Sequence, residues 1–240
     1  MHSSELKGYL TGLILGDGRI DNGVTKRAFE IKSIQYDFIQ KIKNDIESCS
    51  PFKINITHCP AHVGKDNTNH KESWTLRIEA HPYFNKKYHH FYDDYRRRTF
   101  SHEATSWLTP NGLANWYMSD GYTCLVGKEK GHIYNRRIDF CTDRYPKFIV
   151  DRLSKMLNDR FNIKSSVVKR DSFYRIRIKA SSYQTFINLI YPYIVPSMQY
   201  KLYFGYDYQP KWMEDWTWKL QESLKSAMAL TSNVEGQDIV

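Results

Sequence analysis

Two stretches of the chain run an apolar helix into a carboxylate. LTGLILGDG (10–18) closes on Asp17 between Gly16 and Gly18. LANWYMSDG (113–121) closes on Asp120 before Gly121, 103 residues later. A negative charge at a helix C-terminus opposes the helix dipole, typically by ~0.3–1 kcal/mol. One Asp-Gly is an ordinary turn. Two, at the ends of matched helices, are an internal repeat, and two carboxylates brought together repel unless a divalent cation joins them.

The flanking residues say how they meet. Ser3 or Ser4 is placed to cap the first helix, and Thr109 the second, with Pro110 at its first helical position. Gly18 and Gly121 stand where a left-handed residue ends a helix. Gly8, Gly12 and Gly16 recur every four residues and so share one helix face. Each glycine inside a helix costs ~1 kcal/mol relative to alanine, which points to close approach of another backbone. Asn111, Asn115 and Ser119 occupy the matching places in the second copy. The two helices are expected to pack together and bring Asp17 and Asp120 to one place.

Behind each helix lie apolar/polar alternations: RAFEIKS, FKINITH and WTLRIEA in the first half, RRIDFC and YRIRIKA in the second. Period two at this length indicates half-buried strands of an antiparallel sheet. Two segments between them, QYDFIQKIKNDIES and PKFIVDRLSKMLNDRF, have helical periodicity. Each half reads αββαββα, an α+β fold of two repeats, with 1–105 as the first, 106–205 as the second and 206–240 as a C-terminal helix and flexible tail. The polar strand faces carry Lys32, Lys53, Asn55 and Arg77, then Arg137, Arg175, Arg177 and Lys179. Such a face suits the DNA major groove, where Arg and Lys read guanine and Asn reads adenine.

Charge agrees. The net +9 divides into +3 for 1–105, +9 for 106–205 and −3 for the tail, a basic body suited to a polyanion. Cys49, Cys59, Cys124 and Cys141 form no CxxC and read as reduced, mostly buried thiols of an intracellular protein. MHSSELKGYL lacks the features of a secretory leader, and no run is long enough to suggest a membrane span. His58, Cys59 and His62, with His70 nearby, are zinc-capable types, but their spacing fits no standard zinc pattern and the segment reads as a hairpin loop. KKYHHFYDDYRRR reads as a solvated helix face leading to Arg98. Trp212 and Trp216 share a helix face in the tail.

The two nonapeptides resemble the paired motifs of monomeric LAGLIDADG homing endonucleases. LTPNGLANWYMSDG and YPYIVPSMQYKL are similar to the intron-encoded yeast mitochondrial branch, and the likeness runs over roughly 6–204. It implies two pseudo-twofold halves with the motif helices at their interface and the sheets as a saddle on DNA. It implies cleavage of both strands of a long site, leaving staggered ends, by a monomer acting at DNA inside the cell. The last acid of each motif, here Asp17 and Asp120, would bind Mg²⁺, with Mn²⁺ able to substitute. The backbone carbonyls of Gly16 and Ser119, one residue earlier, are further candidate ligands. The family pocket also holds a basic residue near the end of each repeat. Lys201 in YKL matches this, and Arg98 stands at the same 103-residue offset. These two would stabilise charge on the phosphate, while Ser33 or Thr142 at strand ends positions water. The rival readings are an intron-RNA maturase, a DNA-binding regulator without catalysis and a purely structural basic protein. The intact Asp pair speaks for cleavage.

Overall fold

The structure, a computed structural model, describes residues 3–203 apart from 22, 24, 25, 65, 66 and 127–134. The side chains of Ser3 and Ser4, expected to cap the first helix, and the tryptophans of the tail lie outside what is described. In the first half, α1 (Ser3–Leu15), β1 (Arg19–Ile20), β2 (Phe29–Ser33), α2 (Tyr36–Glu47), β3 (Ile54–Cys59), β4 (His62–Val63), β5 (Asn69–His70), β6 (Ser73–Ile78) and α3 (Pro82–Lys87) follow in order. A short α4 (His102–Thr105) leads to the second half. There α5 (Pro110–Asp120), β7 (Gly121–Val126), β8 (Asn135–Phe140), α6 (Lys147–Phe161), β9 (Ser165–Arg170), β10 (Phe173–Ile178), α7 (Tyr183–Ile190) and α8 (Tyr200–Tyr203) repeat the pattern.

The sheets are antiparallel and have the same topology, β1-β2-β6-β3 and β7-β8-β10-β9. Alternation decides their faces. Phe29 and Ile31 turn inward with Leu76 and Ile78, and Ile138 and Phe140 turn inward with Ile176 and Ile178. The apolar stripes Phe38, Ile39, Ile42 and Ile46 of α2, and Ile149, Val150, Leu153, Met156 and Leu157 of α6, are buried in the same core.

Between the halves, α1 packs on α5 with backbones in contact. A Cβ placed on Gly12 would lie 1.8 Å from the Gly112 carbonyl oxygen, and one on Gly112 would lie 2.2 Å from that of Gly8. The small residue facing the glycine row is therefore Gly112. Asn111 sits off the seam and accepts a hydrogen bond from Lys41 Nζ (3.0 Å), while Asn115 is fully buried. Only at Gly16 does the expected partner hold, since its Cβ would meet Ser119 Cβ at 2.4 Å. Thr109 caps α5 by accepting from Gly112 N (3.1 Å), with Pro110 behind it.

Three other expectations change. Gly121 leaves α5 in an extended conformation (φ −82°, ψ 152°), because β7 begins at once. Its missing side chain makes room for the Tyr117 ring, which a Cβ would approach to 2.0 Å. Residues 86–98 are not one solvated helix. α3 ends at Lys87, a 3₁₀ turn covers Tyr88–His90, and Tyr88, Phe91 and Tyr92 are buried. The Asp93 carboxylate then accepts from Tyr95 N and Arg97 N around Arg96 at φ 62°, so the chain doubles back to Arg98. The four cysteines are free and half-buried. The histidine segment forms the β4–β5 hairpin, with His62 and His70 stacked at 4.8 Å. No group of three or more metal-capable His, Cys, Asp or Glu side chains occurs among the described residues. Among those residues no helix is long and apolar enough to cross a membrane.

Candidate active site

The α1–α5 contact carries both helices to a common end, where Asp17 and Asp120 stand. Asp17 keeps 42% of its side chain exposed and lines a cleft of about 620 Å³ with Lys32, Ser33, Arg98, Ser119 and Lys201. Asp120 lies deeper. Burial, together with the facing charge of Asp17, pushes its carboxyl up to about 7, against the opposing pull of Arg144, Arg98 and Lys201. Gly16 and Ser119, the residues just before the two acids, are in contact, so both acids stand at one place.

The helix ends are not left negative. Arg98 Nη1 donates to the carbonyls of Ile14 (2.6 Å) and Gly16 (3.0 Å), and its Nη2 to that of Gly18 (2.8 Å). Lys201 Nζ donates to the Met118 and Ser119 carbonyls at the end of α5, the latter at 3.1 Å. Each basic residue thus caps the motif helix of its own half, offsetting the dipole that the acid opposes. Burial lowers the pKa of Lys201, while Asp17 and Asp120 pull it back up. The Gly16 and Ser119 carbonyls, expected as metal ligands, already accept from these cations and keep one lone pair each. Tyr145 of the second half donates to the Leu15 carbonyl of the first (3.3 Å), tying the halves beside the acids.

Sequence reasoning missed Arg144. It follows β8 in the second half, yet its Nη2 comes within 3.8 Å of Asp17 Oδ1 in the first. It is 58% exposed and carries no hydrogen bond among the described residues. It lines both the main cleft and a neighbouring one of about 530 Å³ that holds Arg19, Arg96 and Arg98. Nothing in the one-dimensional pattern marks a loop arginine that crosses to the other repeat. Of the two residues expected to position water, Ser33 lines the cleft, its Oγ accepting from Gln35 N. Thr142 is buried and donates to the Tyr174 carbonyl (2.7 Å), a structural task.

On the polar sheet faces the expected basic residues are mostly held by acids. Lys53 Nζ lies 3.0 Å from Glu79, to which Asn55 also donates (3.2 Å). Arg77 bonds Glu30 (3.1 Å) and Asp21 (2.9 Å). Arg177 bonds Asp139 through two nitrogens, Arg175 bonds Asp143 likewise, and Arg137 Nε lies 3.1 Å from Asp139. Lys32 stays exposed on the first face. Lys179 does not join the others. The strand ends at Ile178, a 3₁₀ turn follows, and Lys179 lines a cleft with Asp151, Ser154 and Lys155 of α6.

The two acids fit a divalent cation. A carboxyl pushed up to about 7 by burial, with the charge of Asp17 adding to it, is a site short of positive charge. Two carboxylates with carbonyl oxygens make an all-oxygen donor set, which suits Mg²⁺, Mn²⁺ or Ca²⁺ and leaves coordination places for water and phosphate.

Known proteins match this arrangement. The profile described as the LAGLIDADG DNA endonuclease family matches residues 7–186. The chain is 29% identical over 133 residues to the probable intron-encoded endonuclease 1 of Wickerhamomyces canadensis, 55% of this chain and 56% of that protein. It is 33% identical over 100 residues to the cytochrome b mRNA maturase bI2 of Saccharomyces cerevisiae, 40% of this chain and 21% of that protein. The matched region is thus little more than half of one relative's length and about a fifth of the other's. The solved structure of the homing endonuclease I-WcaI bound to its DNA recognition sequence superposes with a TM-score of 0.70 at 24% identity, covering 85% of this chain and 88% of that one. That likeness fixes the fold.

Proposed function

The chain belongs to the LAGLIDADG DNA endonuclease family, and from that premise we propose that it is a site-specific endonuclease. It hydrolyses both strands of a long duplex target with divalent metal and leaves staggered ends. The observation that carries this reading is the meeting of Asp17 and Asp120 at the ends of two helices in backbone contact, near enough for one charge to raise the other's pKa.

Asp17 and Asp120 would hold the metal, with the free lone pairs of the Gly16 and Ser119 carbonyls as further oxygen donors. Bound there, a divalent ion supplies Lewis-acid stabilisation of the scissile phosphate and lowers the pKa of attacking water. Mg²⁺ is the expected ion, and Mn²⁺ is expected to substitute for it. The chain does the rest. Arg98 and Lys201 hold the helix ends, so the acids stay fixed as phosphate arrives. Arg144, bound to no carbonyl and beside Asp17, is a cation able to turn its donors toward a phosphate oxygen where charge builds up. Among the described residues no side chain stands as a general base, so ordered water near Ser33 would take the proton. The sheet faces supply affinity and register, with steep salt dependence. Lys32, Lys53, Asn55, Arg77, Arg137, Arg175 and Arg177 belong to that surface, and Lys179 lies at its margin.

One chain contains both acids, so a monomer suffices. The division of labour follows 1–105 and 106–205, and the protein acts wherever its target DNA resides inside the cell. Selecting cleavable sites from a random duplex library with Mg²⁺ tests the reading, with Asp17→Asn and Asp120→Asn as controls. Binding without double-strand cutting is expected of Asp120→Asn, and full cutting by that variant sinks the assignment.

A second reading has its own support in the maturase likeness. The same basic surfaces would then also hold folded intron RNA. Tight binding to such RNA with no cleavage of any duplex would make it the principal reading.

A further inference from the structure

The acids on the sheet faces have no part in metal binding, and their register is specific. In the second half Asp139 of β8 pairs with Arg177 of β10 and with Tyr122 of β7. Its carboxylate is almost sealed, with 2% of the side chain exposed. Arg177 Nε donates to Oδ1 (2.9 Å) and Nη2 to Oδ2 (3.1 Å), Tyr122 Oη donates to Oδ2 (2.9 Å), and Arg137 Nε stands 3.1 Å away. A carboxylate at the floor of a sheet, taking two hydrogen bonds from Arg177, fixes the orientation of that guanidinium.

Arg175 repeats the arrangement two residues earlier on the same face. Its Nε donates to Asp143 Oδ1 (2.8 Å) and its Nη2 to Oδ2 (2.5 Å). Both arginines therefore spend the Nε–Nη2 edge on an acid. A guanidinium has five N–H donors in a planar fork, so each has donors left at its Nη1–Nη2 edge, more openly on Arg177 (37% exposed) than on Arg175 (17%), which Tyr122 also engages. In the major groove only guanine presents two adjacent acceptors, N7 and O6. Adenine sets a donor beside its N7, and that would face an N–H.

We propose that Arg175 and Arg177 form a preset reader of two guanines in the half-site contacted by the second repeat, with Asp143 and Asp139 as their positioning residues. This rests on the endonuclease reading above. The spacing is set by the strand. Side chains two residues apart along β10 are separated by about 6.8 Å. Base pairs rise by about 3.4 Å each. The guanines therefore lie two base-pair steps apart.

The first half lacks the device. Glu30 pairs in register with Arg77, as Asp139 does with Arg177. Yet Arg77 gives Nη1 to Glu30 and Nη2 to Asp21, so its terminal edge is divided between two acids. Glu30 also holds Arg19 (2.7 Å), and its own side chain is 20% exposed, a looser floor than Asp139. The guanine pair is thus a property of one half-site only.

The test selects duplexes for binding from a randomised library in Ca²⁺, sequences the survivors and then offers them Mg²⁺ for cleavage. The expected motif has two guanines two steps apart on one side of the cleavage point and none required at the mirrored positions. Arg177→Lys and Arg175→Lys, with melting points near wild type, should each flatten the preference at one guanine by about 5- to 150-fold, the discrimination of a bidentate pair. Other positions should stay unchanged. Asp139→Asn should broaden the Arg177 position alone, which a merely structural role would not do. If Asp139→Asn does not fold, the two arginine variants decide. A cleavable motif without the guanine pair, or one indifferent to both arginine variants, overturns the proposal and leaves the endonuclease standing. A library from which no duplex is enriched or cut overturns both.

Discussion

Arg144 of the second repeat reaches to 3.8 Å from Asp17 of the first, bridging the seam where Asp17 and Asp120 share a site. Arg98 and Lys201 spend donors on helix carbonyls, whereas Arg144 has donors to spare beside Asp17. Arg144→Ala is expected to slow single-turnover cleavage by about a hundredfold, within the range for loss of a donor aimed at developing charge. Duplex binding in Ca²⁺ should change little. Equal losses in binding and cleavage would mean that Arg144 serves only as a groove contact.

The acid pair predicts a pH effect with a definite sign. Asp120 titrates at about 7 in the folded chain, above the 3.8 of a free aspartate. The folded state therefore binds this proton more tightly than the unfolded one. Its stabilising contribution is full below about pH 4 and is lost as pH rises through 7. Thermal melts without metal should show Asp120→Asn gaining most stability over wild type at pH 8, less at pH 5 and little at pH 4.

Divalent metal must displace that proton. Calorimetry with Mg²⁺ or Ca²⁺ at pH 6, in buffers of different ionisation enthalpy, should register proton release that fades by pH 8. Metal should also raise the melting point more at pH 8 than at pH 6. Proton-neutral binding at both pH values would place the cation away from Asp120.

The helix seam predicts intolerance to a single methyl group. Gly12→Ala places a Cβ where the Gly112 carbonyl now lies. Overpacking of a buried contact costs roughly 1–3 kcal/mol. A fall in melting point is expected, together with a loss of cleavage larger than the loss of DNA binding, since forcing the helices apart separates the acids before it disturbs either sheet.

Much of this was legible from residue order alone. Period-two strands, the helical stripes of α2 and α6, and the duplicated helix ending in an acid all follow from local pattern, because side-chain alternation and burial obey the same geometry. What was not legible depends on register and on chain crossings. Gly112 rather than Asn115 meets Gly12 because the crossing point does not follow the 103-residue offset. Asp139 is invisible as a partner of Arg177 until β8 and β10 are aligned. Lys179 continues the alternation on paper, but a 3₁₀ turn ends the strand one residue before it. Arg144 belongs to a loop, and only three dimensions bring it to Asp17.

The capping of both motif helices has a mechanical consequence. Arg98 is bound to three carbonyls and Lys201 to two, and the backbones beneath them touch. The centre is held before any nucleic acid arrives, so on the endonuclease reading a duplex would do the bending needed to bring both strands to it. The energy of that distortion varies with base stacking, so the middle of a target can be discriminated by its compliance at base pairs that no side chain reaches.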